Sequence, residues 1–219
     1  MRLSVYPDTV FPDRSSCAVA IDVFRATTVM AVLIESGVPL IRLTTSLNRK
    51  NDGTIWIGER EGVMISGYDH GNSPCELMQA LLPQKPVTMN TSNGTRLISL
   101  LSPYYEHIIM LSFANLSAVI AYCSSHGIIP DVYCAGSEGG FSPEDAACGA
   151  VFCSTMVATS EEKAEYSQWV LSQAQLLDTP HAAYLRSIGF MNDVTFAVKR
   201  DTVRSVPLYS GKDECIKGV

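Results

Sequence analysis

The sequence has few charged residues, and positive charge is the scarcer kind. Only 17% of its 219 residues are Asp, Glu, Lys or Arg, and 16 Lys and Arg stand against 22 Asp and Glu, for a formal net charge of −6. Affinity for nucleic acid comes from clustered Lys and Arg, and the sequence has no basic stripe. The composition therefore argues against a nucleic-acid partner, while 47% apolar residues exclude a disordered chain.

A long uninterrupted apolar run is also missing. The longest apolar stretch, from Cys17 to Val38, contains Asp22, Arg25 and Glu35, so it does not fit a membrane-spanning helix. The segment from Met1 to Ser16 carries four charged residues and two prolines, unlike an export signal. We expect a cytoplasmic protein with no membrane partner.

The seven cysteines are an odd number and include no Cys-x-x-Cys pair, so a disulfide framework is not expected. Cys123 and His126 have one ligand-like spacing but no second pair, which does not favour zinc. Cys134 is either a thiolate nucleophile or a buried cysteine. The second interpretation is favoured because no arginine follows at the spacing that cysteine-dependent phosphatases need.

Apolar runs alternate with segments of helical period along the chain, which predicts an α/β fold with a mostly parallel or mixed sheet covered on both faces. We expect a single domain over residues 1–219. The predicted strands are Arg2–Tyr6, Cys17–Asp22, Leu40–Leu43, Ile55–Gly58, Val87–Asn90, His107–Ser112, Val132–Ala135 and Val194–Val198. The predicted helices are Ala26–Ser36, Pro74–Leu82, Gly94–Leu101, Ala114–His126, Pro143–Ala158, Glu162–Leu177 and Pro180–Ser187.

Four polar clusters each follow a predicted strand directly. They are Asp22–Thr28, Glu59–Ser73, Thr91–Arg96 and Gly136–Asp145. Loops beyond the carboxyl ends of parallel strands gather at one edge of a sheet, where ligands bind. The clusters are therefore expected to line one pocket, and their carboxylates and arginines suit a hard cation with an anionic substrate. These side chains are Asp22, Glu59, Asp69, Glu144, Asp145, Arg25, Arg60 and Arg96.

Several of these residues also have a purely structural interpretation. Asp22 could hold a metal or attack phosphorus, or it could cap the next helix. Asp145 lies three residues after Ser142, as a structural cap requires. His70 is a candidate general acid, although an ordinary exposed loop histidine is the favoured interpretation.

The turn from Thr91 to Arg96 is rich in hydroxyl and amide groups and leads into a helix, so it could cradle a phosphate. It has neither the lysine of a P-loop nor a Gly-x-Gly-x-x-Gly pattern. Ser73 and Ser142 are each followed directly by proline, a pattern typical of the start of a helix. Such helix starts present amide donors to an anion.

Together the clusters closely resemble the signature blocks of the 2-phosphosulfolactate phosphatase family. The matching blocks are Asp22-Val-Phe-Arg-Ala-Thr-Thr28, Gly58-Glu-Arg60, Gly67-Tyr-Asp-His-Gly-Asn-Ser-Pro74, Asn93-Gly-Thr-Arg96, Cys134-Ala-Gly136 and Phe141-Ser-Pro-Glu-Asp145. The C-terminal part resembles the family from Pro180-His181 through Asp193-Val194 to Val206-Pro207. Three departures are Phe24 where the family has Leu, Tyr68 where it has Phe, and Met89-Asn90 where more threonine is expected.

The resemblance implies a three-layer α/β/α sandwich and a Mg²⁺-dependent phosphatase that converts (2R)-phospho-3-sulfolactate into sulfolactate and phosphate. In methanogens this step belongs to coenzyme M biosynthesis. Similar proteins occur in organisms that do not make the coenzyme, so the resemblance fixes the reaction type better than the substrate.

The residue chemistry agrees with this resemblance and leads to a hypothesis for the site. Asp22, Glu59 and Asp145 are predicted to hold or flank Mg²⁺, and Arg25 completes the catalytic set with them. The residues predicted to bind substrate are Arg60, Asp69, Asn72, Ser73, Asn93, Gly94, Thr95, Arg96 and Gly136.

Several alternatives stay open at this point. The attacking group is either water, which is preferred, or Asp22; the latter lacks the second aspartate of a DxD pair because Phe24 occupies that position. The protein could instead be a phosphotransferase or a lyase acting on a small phosphorylated acid, or a non-catalytic anion-binding protein. A homodimer is a further possibility.

Overall fold

The computed structural model describes residues 1–6, 17–80, 82 and 84–219. Asp8, Asp13 and Arg14 of the N-terminal segment lie outside the described residues. The strands are β1 (Leu3–Ser4), β2 (Cys17–Ile21), β3 (Ile41–Leu43), β4 (Ile55–Arg60), β5 (Val63–Met64), β6 (Val87–Asn90), β7 (His107–Leu111), β8 (Asp131–Cys134), β9 (Pro207–Ser210) and β10 (Cys215–Gly218).

The helices lie between the strands and after β8. They are α1 (Ala26–Glu35), α2 (Pro74–Gln79), α3 (Gly94–Leu101), α4 (Leu116–Ser125), α5 (Pro143–Met156), α6 (Ser160–Ser167), α7 (Gln173–Leu176), α8 (Pro180–Ser187) and α9 (Met191–Ala197), with a 3-10 turn at Phe113–Asn115. None of the helices in the described part of the chain is long and apolar enough to cross a membrane.

The sheet is mixed and is covered by helices on both faces, as predicted. Strand β2 is buried throughout, and its alternate residues contribute to two different cores because successive side chains of a strand point to opposite faces. Val19 and Ile21 belong to a core with α4, α5, α8 and α9. Ala18 and Ala20 belong to another with α1, α2 and α3. The fold is therefore a three-layer α/β/α sandwich.

Three consecutive antiparallel pairings separate two groups of parallel strands. The strands β1, β8, β2 and β7 are mutually parallel, and so are β3, β6 and β4. Between the groups, β7 pairs with β9, β9 with β10, and β10 with β3, all antiparallel. The second group consequently runs opposite to the first within the sheet.

The twist of the sheet nevertheless brings the carboxyl ends of both groups together. Neighbouring strands rotate by roughly 20–25°, and six such steps separate β2 from β4 in the strand order. At this typical value, six steps amount to more than a right angle, which is enough to offset the reversal. Gly94 after β6 accordingly lies against Ala26 after β2. The loops meet as the sequence predicted, although they do not follow a single set of parallel strands.

The predicted strand Val194–Val198 is wrong, because these residues belong to α9 and its C-cap. Val194, Ala197 and Val198 are buried in the core shared with α5 and α8. Their spacing of three and four residues places them on one helical face, so burial of that face outweighs the strand preference of the β-branched residues.

The predicted helix Glu162–Leu177 is two helices, α6 and α7, because Ser172 begins a new helix with Gln175 as its capping-box partner. The pattern also missed β5, β9 and β10. The other predicted strands end within two residues of the observed ends. Helix α2 ends three residues before the predicted Leu82, and Leu81 lies outside the described residues.

Candidate active site

A cavity of about 350 Å³ lies where the loops after β2, β4, β6 and β8 meet the start of α8. Its wall draws on residues from widely separated parts of the chain. The lining residues are Asp22, Phe24, Arg25, Glu59, Glu61, Gly62, Asn72, Thr91, Ser92, Asn93, Ser137, Glu138, Pro180, His181, Tyr184 and Leu185. Of the predicted site residues, Asp22, Arg25, Glu59, Asn72 and Asn93 are in this wall.

Asp22 follows β2 directly and is held in place by the first turn of α1. Its Oδ1 accepts a hydrogen bond from the Ala26 amide at 3.2 Å, and its own amide donates to Thr27 Oγ1 at 3.0 Å. Burial raises the pKa of Asp22 to about 6; the charges of Glu59 and Glu144 add to the rise, while His181 and the Ala26 amide oppose it. A buried carboxylate in this state favours a cation or a proton beside it.

The other carboxylate oxygen of Asp22 faces Gly94 at the start of α3. A Cβ atom on Gly94 would lie 3.0 Å from Asp22 Oδ2 and in severe overlap with Ala26 Cβ. Glycine at this position therefore lets the two helix starts approach each other, although Gly94 itself is absent from the cavity wall.

Glu59 near the end of β4 joins two loops of the cavity. Its Oε1 accepts from the Ser92 amide at 2.8 Å, and its Oε2 accepts from the Gly62 amide at 2.9 Å. The residue is buried yet lines the cavity. Carboxylate oxygens keep further lone pairs after one hydrogen bond, so Glu59 can still contact a bound cation.

Arg25 lines the cavity, but its guanidinium group is already tied to the protein. Nη1 forms an ion pair with Asp193 of α9 at 2.7 Å, and Nη2 donates to the Gly62 carbonyl at 2.6 Å. The ring of Phe190 lies 4.3 Å from the guanidinium carbon. Ser73, predicted to bind substrate, donates instead to the same Asp193 at 2.7 Å. These contacts fix the orientation of Arg25.

Asp145 lies behind the cavity wall and connects two of its loops. Oδ1 accepts from the Val23 amide at 2.8 Å, and Oδ2 accepts from the Gly136 amide at 3.2 Å. Burial, together with the charges of Asp22 and Glu144, raises the pKa of Asp145 well above its ordinary value. Asp145 and Gly136 thus hold the loops after β2 and β8 together.

The turn before α3 presents Thr91, Ser92 and Asn93 to the cavity. Thr95 stabilises this turn from behind, since its amide donates to Thr91 Oγ1 and its hydroxyl accepts from the Thr91 amide, each at 3.0 Å. Asn93 is the N-cap of α3, but its side chain makes no capping hydrogen bond. The amide of Asn93 and the start of α3 are therefore suited to an anion.

Asn72 is the second asparagine in the wall. It is 3% exposed, and its Oδ1 has no hydrogen-bond partner. A buried polar atom of this kind is costly unless a ligand or water satisfies it, so Asn72 is a good candidate for contact with a bound group.

The three charged residues predicted to bind substrate all lie outside the cavity wall. Arg60 donates to the Glu59 carbonyl at 2.6 Å and to Asn90 Oδ1 at 2.7 Å. Arg96 lies near the Ala135 carbonyl, which it contacts at 3.4 Å. Asp69 accepts from the Trp56 amide at 2.9 Å and pairs with Arg49 at 2.8 Å. Their contacts are to β4, β6, Arg49 and the residue after β8.

The sequence hypothesis did not assign roles to His181 and Glu144, which form a pair beside the cavity. His181 Nδ1 lies 3.2 Å from Glu144 Oε1, and the His181 and Glu144 side chains are 19% and 1% exposed. Glu144 begins α5 and His181 begins α8, so no local spacing connects them. Two features of the sequence could have indicated this pair: the family resemblance at Pro180-His181, and the position of Glu144 directly before Asp145.

The mouth of the cavity is acidic, a property the sequence did not reveal. Glu61 and Glu138 both line it and both adopt positive φ angles, each 51°. Tyr184 donates its hydroxyl to the Glu61 carbonyl at 2.9 Å, which fixes one side of the mouth. The chain turns sharply at both glutamates and leaves their side chains exposed.

The fit of these residues to a Mg²⁺ ion depends on the number of ligands required. No group of three His, Cys, Asp or Glu side chains in the described ranges is arranged to hold a metal. Mg²⁺ commonly takes one or two protein carboxylates and completes its shell with water and substrate phosphate. Asp22 and Glu59, which face the same cavity, match that need; Asp145 does not line it.

Two other sequence candidates lie outside the cavity wall. Burial raises the pKa of the Cys134 thiol well above its ordinary value, with Asp145 adding to the rise, so a reactive thiolate is not favoured. His70 is half-buried and forms a bridge with Ile57 of β4.

Comparison with known proteins places this architecture in a family. A family described as 2-phosphosulpholactate phosphatase matches residues 5–212. A protein of Thermotoga maritima named "Probable 2-phosphosulfolactate phosphatase" is 32% identical, with 90% of each chain covered. Relatives of the same name in Clostridium botulinum (strain Alaska E43 / Type E3) and Deinococcus radiodurans are 30% and 27% identical over 92% and 95% of their lengths. The chain belongs to the 2-phosphosulfolactate phosphatase family.

Proposed function

We propose that this protein is a Mg²⁺-dependent phosphatase that hydrolyses (2R)-phospho-3-sulfolactate, or a similar small phosphorylated acid, to the free hydroxy acid and phosphate. Membership of the family indicates a hydrolase acting on phosphoric monoesters. The observation that carries the proposal is the single cavity that joins the carboxylates of Asp22 and Glu59 to the start of α3.

The charge of the cavity wall supports the proposed cation. Four of its residues carry carboxylates, namely Asp22, Glu59, Glu61 and Glu138. An anionic substrate would be repelled by this wall unless a cation compensates the charge. In the proposal Asp22 and Glu59 hold Mg²⁺, which when bound neutralises charge on the phosphoryl oxygens during transfer.

In the proposal the phosphate group is bound by donors that lie beside the two carboxylates. The Thr91 and Ser92 amides are already bonded within the protein, so the turn offers the Ser92 hydroxyl and the Asn93 amide at a helix start, where the helix dipole favours an anion. Arg25 contributes a fixed positive charge from its buried position. Asn72 lies in the same wall, and its unpartnered Oδ1, an acceptor, suits a water molecule or the cation rather than a phosphate oxygen. Together these groups orient the phosphate for in-line attack.

Water is the favoured nucleophile. One oxygen of Asp22 accepts the Ala26 amide, and the other is packed against Gly94. A carboxylate restrained on both oxygens is less able to attack phosphorus than a water molecule in the cavity. Rapid-quench experiments with labelled substrate would trap a phosphate on Asp22 only if the covalent route operates.

Phosphate release tests the proposal directly. The purified protein is treated with a chelator and assayed with 2-phosphosulfolactate, 2-phospholactate and other phosphomonoesters, with and without added Mg²⁺ and with no acceptor other than water. We expect phosphate release that depends on Mg²⁺ and is fastest with small phosphorylated acids. Release only when an alcohol acceptor is added would indicate a phosphotransferase, and binding without turnover would indicate an anion-binding protein.

A further inference from the structure

We propose that His181 is the proton donor to the leaving-group oxygen and that Glu144 is the residue that positions it. The inference rests on the proposed phosphatase function and adds a catalytic residue to it. It comes from a buried acidic side chain, its one ion-pair contact and the cavity beside them.

The carboxylate of Glu144 is buried in an unusual way. Its side chain is 1% exposed, and neither oxygen has a hydrogen-bond partner in the described part of the chain. The separation of 3.2 Å from His181 Nδ1 is an ion-pair distance, although the atoms are not aligned as a hydrogen bond. A buried charge without a partner is costly, so Glu144 depends on His181 as its counter-ion.

The ring of His181 is held so that one edge faces Glu144. Phe24 packs against it edge to face, with ring centroids 5.9 Å apart. Nδ1 is the ring nitrogen that lies 3.2 Å from Glu144 Oε1, so Nε2 is the nitrogen that remains for a bound substrate. His181 lines the cavity and its side chain is 19% exposed, so a bound substrate can reach the ring. When the ring forms the ion pair with Glu144, Nε2 carries a proton that it can donate.

The chemistry of the reaction requires such a donor. Hydrolysis forms a bond between the water oxygen and phosphorus and breaks the bond between phosphorus and the ester oxygen, which keeps the bonding electron pair. An alkoxide is strongly basic, so it leaves readily only if it accepts a proton as the bond breaks. His181 Nε2 supplies that proton, the attacking water loses one to the phosphate or to solvent, and His181 regains a proton from water.

Leaving-group dependence separates a proton donor from a residue that only shapes the cavity. Replacement of the donor slows the hydrolysis of esters of basic alcohols much more than the hydrolysis of esters of weakly basic phenols. A weakly basic phenolate such as 4-nitrophenolate leaves without accepting a proton. We therefore compare glycerol 2-phosphate and 2-phospholactate with 4-nitrophenyl phosphate for the wild-type protein, His181→Gln and Glu144→Gln. His126→Gln is the matched control, since His126 is exposed at the end of α4.

We expect His181→Gln to lower kcat for the two alkyl esters, glycerol 2-phosphate and 2-phospholactate, by roughly 100-fold or more. The kcat for the aryl ester, 4-nitrophenyl phosphate, should change by less than about 10-fold. Glu144→Gln should give a smaller loss with the same selectivity, since it weakens the positioning of the donor and leaves the ring in place. His126→Gln should behave as the wild type. Thermal unfolding of each variant verifies that it is folded.

Equal losses on alkyl and aryl esters would overturn the inference and leave the phosphatase function intact. If His181→Gln does not fold, the wild-type protein alone still provides the test: a shallow dependence of kcat on leaving-group basicity supports the donor, and a steep one overturns it. Absence of turnover by the wild-type protein with every ester would overturn the proposed function and the inference with it.

Discussion

At the scale of single residues, Asp22 links the stability of the protein to its chemistry. Its pKa is raised from the ordinary 3.8 to about 6, first by burial. A carboxyl group whose folded-state pKa is raised costs no stability below its unfolded value. As pH rises from about 4 to about 6 the folded protein must ionise a group it holds protonated, and stability is lost.

Asp22→Asn should therefore make the metal-free protein more stable above pH 6, by on the order of 2 kcal/mol, while abolishing phosphate release. The measurement is the free energy of unfolding between pH 4 and pH 8 in the presence of a chelator. Asp178→Asn, at an exposed position before α8, is the control. Identical pH profiles for wild type and Asp22→Asn would contradict the expected cost of the charge.

Gly94 offers a second test at the residue scale. Gly94→Ala places a methyl group against Ala26 Cβ and 3.0 Å from Asp22 Oδ2, so α1 and α3 must separate. We expect a loss of about 1–3 kcal/mol in the free energy of unfolding and a clear loss of turnover. Urea unfolding and phosphate release measure the two effects. Gly211→Ala is the matched control, because the nearest atom to its Cβ would be 3.6 Å away; equal effects of both changes would argue against close packing.

At the scale of elements, the ion pair between Arg25 and Asp193 connects the start of α1 to α9. Both side chains are 2% exposed and 2.7 Å apart. Asp193→Ala leaves the Arg25 charge buried without compensation, and we expect a loss of roughly 3–5 kcal/mol in unfolding free energy. Asp213→Ala breaks an ion pair of 2.8 Å whose members are about half exposed, and should change little. A small effect of Asp193→Ala would show that Arg25 is well compensated by its other contacts.

The elements themselves were largely predictable from the sequence where the pattern was long. Buried strands such as β2 and helices with clear caps such as α5 have strong local signals. Strands β9 and β10 are four residues each, which is too short for an alternation of apolar and polar residues to be recognised. Helix α9 was mistaken for a strand because its β-branched residues favour strands locally, whereas its core contacts come from distant elements.

At the scale of the whole molecule, metal binding should stabilise the folded state. A ligand that binds only the folded protein contributes about 2.7 kcal/mol at a hundredfold excess over its Kd. We expect MgCl₂ to raise the unfolding temperature of the wild type in the presence of inorganic phosphate, and to have much less effect on Glu59→Gln. Differential scanning fluorimetry provides the measurement. If MgCl₂ does not change the unfolding temperature of the wild type, the proposed role of Asp22 and Glu59 is contradicted.

The candidate site shows what a sequence of this kind can and cannot disclose. Polar residues directly after strands, such as Asp22 and Glu59, were found because strand ends have a local signal. The pairing of Glu144 with His181 was not, since the two residues meet only when α5 and α8 pack together. Arg60 was assigned to substrate from its charge, but its guanidinium contacts Asn90 and the Glu59 carbonyl, an outcome that depends on side-chain direction.

The hairpin of β9 and β10 has a consequence for how this enzyme could be altered. Asp22 follows one parallel group of strands and Glu59 belongs to the other, and between β10 and β3 the sheet continues through the pairing of Ile216 with Ile41. The halves of the cavity are therefore joined twice, through this hairpin in the sheet and through direct contacts such as that of Arg25 with the Gly62 carbonyl. A change in the hairpin alone would be resisted by those contacts, so the spacing of the two carboxylates is set by the hairpin and the cavity wall together.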